Sequence, residues 1–165
     1  MTPQELFDQA VAHHQASRFD PAERLYRQIL AADSSHVDAL HMVAIVAPPE
    51  EQHEVNARAL AVARASSDQR ARDWDASLLN NIGMTYADAG DFDQALATFQ
   101  QALAARERIG DPGTIRVAKW MVAWSLRNLG RRDEALRIQR ALKEELDAIG
   151  DTDPYVDDEL ALLAD

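Results

Sequence analysis

Two stretches of this chain come nearest to catalytic or metal-binding patterns. His53-Glu54 opens like the H-E-x-x-H helix of a zinc protease, where imidazoles at i and i+4 hold the metal and the glutamate is the base. Ala57 stands where the second imidazole would have to be. Asp151, Asp153 and Asp157 are spaced a little like the carboxylates of a calcium loop, yet Val156 sits where that loop needs glycine. His13, His14, His36 and His41 share no ligand spacing on a common helical face, and His13 reads as a core residue. There is no glycine-rich phosphate loop and no G-x-S-x-G. The 165 residues include no cysteine, which excludes disulfides, thiolate metal sites and a cysteine nucleophile. No active site emerges, and the expectation is a non-enzymatic chain without cofactor or metal.

Composition narrows the partners. Hydrophobic residues make up 47% of the chain and glycines number 6, which fits a helical globular protein and not a disordered one. The formal charge of −11 would repel a nucleic-acid backbone or an anionic membrane. It permits a basic partner, although solubility conferred by charged outer faces explains it more simply. Met1-Thr2-Pro3-Gln4-Glu5 lacks the basic and apolar regions of a signal peptide. No apolar run reaches membrane-spanning length. A soluble, cytoplasmic single domain is expected.

The elements are clearest between Leu78 and Leu103. Leu79, Ile82, Gly83 and Tyr86 fall at i, i+3, i+4 and i+7, one face of a helix. Gly90 ends that helix by accepting the left-handed conformation, and Asp91 with Gln94 reads as a capping box opening the next. Ala95, Phe99 and Ala102 form the second stripe. Gly83 and Ala95, both small, are expected to meet where the two helices cross. This pattern resembles the tetratricopeptide repeat, whose signature is a large apolar residue, Leu, Gly and Tyr, then Ala, Phe and Ala.

The rest of the chain repeats it with departures. In residues 3–36, Leu6, Ala10 and His13 take the first-helix places, and Ala22, Tyr26 and Ile29 the second. Asp20-Pro21-Ala22-Glu23 reads as a helix start, with Asp as cap and Pro at the first position. Ser17 replaces the usual turn glycine and Ser34 the closing proline. Residues 37–70 are the most divergent unit: Leu40, Val43, Ala44 and Ala47, then Asn56, Leu60 and Ala63. Pro48-Pro49 must end its first helix early. Residues 66–75 form a polar connector that could extend the next helix through Trp74. Residues 76–115 hold the central pair. In 116–152, Gly130 and Ala135 follow Gly90 and Ala95 at a spacing of 40, with Gln139 in the aromatic's place. That longer period is similar to kinesin-light-chain repeats. Residues 154–164 form a capping helix over the last repeat. The resemblance implies an all-α, right-handed α-solenoid of about four helical hairpins plus this cap.

It also implies a function, the binding of a peptide or protein segment in a concave groove. The groove places map onto Phe7, Val11 and His14; His41, Ile45 and Pro48; Asn80, Met84 and Ala87; and Trp120, Trp124 and Arg127. Asn81 lies beside them. The candidate partner-binding residues are His41, Asn80, Asn81, Met84, Trp120, Trp124 and Arg127. An asparagine amide both donates and accepts, so Asn80 and Asn81 suit an extended backbone, unless they serve capping or inter-repeat bonds. Trp and Arg dominate binding hot spots. Trp120 and Trp124 are equally readable as core beneath the C-terminal helix. Members that clamp chaperone C-termini use Lys, Asn and Arg. The matching places here hold Phe7, Val11, Met42, Ser77 and Asn81, or His41, Ile45, Asn81, Val117 and Met121, without the cations. The alternative to an adaptor is a structural or self-associating subunit, with a homo-oligomer as its product.

Overall fold

A computed structural model of the protein describes residues 1–164. They are all-helical: α1 Pro3–Gln15, α2 Phe19–Ala32, α3 Val37–Val46, α4 Pro49–Ala65, α5 Gln69–Arg72, α6 Asp75–Asp88, α7 Phe92–Ile109, α8 Pro112–Asn128, α9 Arg132–Ala148 and α10 Pro154–Ala164.

One device recurs at the helix ends. Gly90, Gly130 and Gly150 take φ of +78°, +76° and +69°, and the next amide bonds back five residues. Asp91 N reaches Tyr86 O, Arg131 N reaches Leu126 O, and Asp151 N reaches Leu146 O, each at 2.9 Å. This Schellman closure satisfies carbonyls that a helix terminus leaves open. Ser17 does the same at φ +58°, with Arg18 N on His13 O at 2.9 Å. The missing glycine therefore leaves the turn intact at the cost of a side chain in the left-handed region.

Several local expectations are corrected. The capping box at Asp91 is half formed: Asp91 Oδ1 accepts from Gln94 N at 3.2 Å. The Asp91 amide is already committed to Tyr86 by the closure. Helix α2 starts at Phe19, ahead of the expected Asp20 cap, because the turn at Ser17 delivers the chain directly into it. The connector does not extend α6. Asp68 Oδ1 accepts from Arg70 N and caps the short α5, and Trp74 precedes α6. The double proline does end α3 early, at Val46. A full capping box opens α1 instead, between Thr2 and Glu5.

The helices form two compact units, Met1–Ile82 and Gly83–Asp165. In the first, Ala10, Ala22, Tyr26, Ile29, Ala39 and Val43 make one core, and Leu40, Ala59, Ala63 and Leu78 another, flanked by Trp74. In the second, Ala87, Ala95, Leu96, Phe99, Val122, Leu126, Ala135 and Leu163 form the main core. Leu142, Leu146 and Val156 add a smaller core that joins α9 to α10. Gly83 is pressed by the Phe99 ring, whose atoms are the nearest to the place a Cβ would take. A Cβ at Gly83 would lie 2.5 Å from Phe99 Cε1.

Candidate functional site

Helix α8 begins at Asp111-Pro112, where Asp111 Oδ2 accepts from Thr114 N at 2.8 Å. That backbone bond, with the Thr114 side chain second, holds the Asp111 carboxyl below its ordinary range. From this start the helical period aligns Trp120, Trp124 and Arg127 on one face. The two indoles stack at 6.0 Å with only 11° between their planes. Their roles then diverge. Trp124 meets Phe92 edge-on at 5.3 Å and Phe99 at 6.5 Å, and so flanks the main core. Trp120 faces α10, where its Nε1 donates to Tyr155 O at 3.1 Å and its ring meets Tyr155 at 71°.

Arg127 is committed as well. Its Nε and Nη2 donate to the two carboxylate oxygens of Glu159 on α10, at 2.7 and 2.8 Å. Glu159 is only 4% exposed, so this is a largely desolvated, bidentate pair. The bond to Glu159 raises the guanidinium pKa above its ordinary value. The helix that the sequence places as a cap thus lies over part of the α8 face, covering Arg127 and the inner side of Trp120.

Beside Trp120 an apolar recess of about 240 Å³ remains, lined by Val117, Trp120, Met121, Asp153 and Tyr155. Val117 is 57% exposed and Tyr155 69%. Asp153 Oδ1 accepts from Tyr155 N at 2.9 Å, which sets the Tyr155 backbone at the start of α10. Sequence reasoning named neither Val117 nor Tyr155 as a site residue. Val117 stands at i−3 from Trp120, a spacing that puts it on the same face and was legible. Tyr155 was not legible, because only the fold-back of α10 brings it to α8.

The remaining candidates occupy other places. His41 is buried in the first unit, its ring against Trp74 at 4.0 Å and tilted by 33°. Burial pushes its pKa below the ordinary value, with Asp38 opposing. Asp38 in turn accepts from Trp74 Nε1 and from Arg70 Nη2, both at 2.9 Å. Asn81 Nδ2 donates to Oδ1 of the buried Asn56 at 3.1 Å, and Asn56 Nδ2 donates to Gln52 O at 2.7 Å. Asn80 is half-buried in the first unit, and Met84 half-buried against the main core of the second. The structure therefore assembles Trp120, Trp124 and Arg127, and gives Asn81 and His41 partners within their own unit. Among the described residues no three His, Asp or Glu side chains converge to hold a metal. No helix is long and apolar enough to cross a membrane.

A family model described as Tetratricopeptide repeat matches residues 56–108 and 74–149. No curated protein matches the sequence. Among solved structures, a kinesin light chain with nearly identical TPR-like repeats from Podosopora anserina aligns with a TM-score of 0.74 and 15% identity, covering 98% of this chain and 86% of its own. MamA of AMB-1 aligns at 0.69 and 20% identity, covering 98% and 80%. YrrB, described as a TPR protein with an unusual peptide-binding site, aligns at 0.65 and 20%, covering 84% and 66%. At these identities the likeness carries the fold alone.

Proposed function

Because the chain belongs to the tetratricopeptide repeat family, we propose that it is a non-enzymatic interaction module whose second unit binds a peptide or protein segment at the Trp120 face. The observation that carries this reading is the exposed aromatic corner itself. Val117 and Tyr155 keep more than half of their surface in water beside a tryptophan already stacked on a second one. Large aromatic side chains left together at a surface are the usual anchors of binding hot spots. Trp120 is rigid before any partner arrives, held by Trp124 and by its bond to Tyr155 O, so little side-chain entropy remains to be lost on binding. YrrB, which shares the fold, is described as having a peptide-binding site, and this adds support.

The test compares capture of proteins from the source cell by the native chain and by Trp120→Ala, followed by affinity measurement on whatever the native chain retains. Truncation of an anchor should weaken that affinity by about 2 kcal/mol or more. The fold should survive, since Trp120 sits at the edge of the smaller core. A partner held equally well by Trp120→Ala would remove the face from the function. Light scattering across concentration checks self-association. A mass that rises with concentration, and stops rising in Trp120→Ala, would make the partner a second copy of the chain.

A further inference from the structure

The recess beside Trp120 has a chemical bias. Its indole donor, Trp120 Nε1, is already used by Tyr155 O, which leaves the neutral Tyr155 hydroxyl as the remaining ring donor of the lining. What it still offers is π-surface, the methionine and valine side chains, and the Asp153 carboxylate, one oxygen of which is occupied by Tyr155 N. An acidic group entering here would meet the Asp153 carboxylate, with only the neutral Tyr155 hydroxyl to donate to it. A cation would meet an aromatic face and a counter-charge together. Nearby charges leave that bias in place. Lys119 is taken by Glu145 at 2.6 Å, and Lys143 by Asp157 at 3.2 Å. Residues 151–164 contain no Lys or Arg, and the whole chain carries −11. The volume of about 240 Å³ is below that of small-molecule sites, roughly 300–1,000 Å³, and suits one side chain.

We infer that this recess docks an arginine side chain of a basic partner peptide, the guanidinium lying against Tyr155 and Trp120 and bonded to Asp153. The inference rests on the interaction reading above and names the chemistry of its partner. A planar guanidinium fits better than an ammonium, because it stacks on rings and pairs with carboxylate at once.

Three series of short capped peptides serve as probes, with arginine, leucine or glutamate at the central position and otherwise matched. The arginine series should bind best and weaken with added salt. Asp153→Asn removes the charge but keeps an acceptor for Tyr155 N. Tyr155→Ala removes a ring that is mostly in solvent. Each should cost the arginine series about tenfold in affinity, with the melting temperature unchanged. Leucine or glutamate peptides binding as well as arginine ones would overturn the inference, as would indifference to Asp153→Asn. If no series binds while a Trp120-dependent partner is still captured, the arginine inference alone fails. If neither is seen, the interaction reading fails with it.

Discussion

Gly83 is where a single methyl group would be felt most sharply. A Cβ there meets Phe99 Cε1 at 2.5 Å and Cδ1 at 2.7 Å, while the ring is itself 1% exposed and has nowhere open to move. Gly83→Ala should lower stability by about 1–3 kcal/mol, seen as a lower denaturant midpoint at unchanged slope. Combined with Phe99→Leu, the loss should be smaller than the sum of the two single losses. Strict additivity would show that ring and glycine do not meet. His41 carries the second residue-scale prediction. Its pKa is lowered in the fold by burial, whereas the unfolded chain titrates near the ordinary value of about 6.5. As pH falls, the unfolded state takes the proton first. The stability linked to His41 is complete above about pH 6.5 and declines as pH drops through the lower folded value. His41→Phe keeps a ring against Trp74 and binds no proton. Its melting temperature should therefore fall less than that of the native chain between about pH 7.5 and about pH 5. Equal falls in both proteins would contradict this.

Among the elements, α10 decides most about the candidate site. It contributes Tyr155 to the recess, Val156 and Leu163 to the cores, and Glu159 to Arg127. Arg127→Leu would strand a carboxylate that is only 4% exposed, at a cost of about 3–5 kcal/mol. Replacing both residues by Leu should recover most of that loss, because a well-packed apolar pair removes the desolvation penalty too. Denaturation of the single and double variants checks this. A double variant no more stable than Arg127→Leu would mean that the ion pair contributes more than its burial costs. The same helix explains why a face readable as hot spot or as core is in fact divided. Trp124 leans on Phe92 and Phe99, Arg127 is paired with Glu159, and Val117 and Tyr155 beside Trp120 are the residues of this corner left mostly in solvent.

For the molecule as a whole, the surplus of acid is the dominant electrostatic fact. Exposed pairs such as Arg131–Glu134 and Arg27–Glu51 are local and contribute little each. The formal −11 therefore acts mainly as self-repulsion. Raising ionic strength from about 20 mM to about 300 mM shortens the Debye length to a few ångströms and screens that repulsion. The melting temperature should rise by a few degrees. A fall would show that attractive pairs outweigh the net charge. The same field favours basic partners at a distance, in keeping with the docking chemistry inferred for the recess.

What the sequence determined by itself is what short-range physics encodes. The i, i+3, i+4 stripes are read along one helix, and the stops at Gly90, Gly130 and Gly150 need only a residue that tolerates positive φ. Family and all-α class follow from those local signals. Even so, the atoms that come nearest to Gly83 are those of the Phe99 ring, which the pairing of the two small residues did not name, because periodicity names a face and not the atom that meets it. Only the tertiary structure decided the site. The bonds of Arg127 to Glu159, Trp120 to Tyr155 and Trp74 to Asp38 join residues 32, 35 and 36 positions apart. At such separations no helical period relates the partners. The pairing is set by how α10 folds back on α8 and how α6 begins against α3, and the recess exists only once those helices have packed.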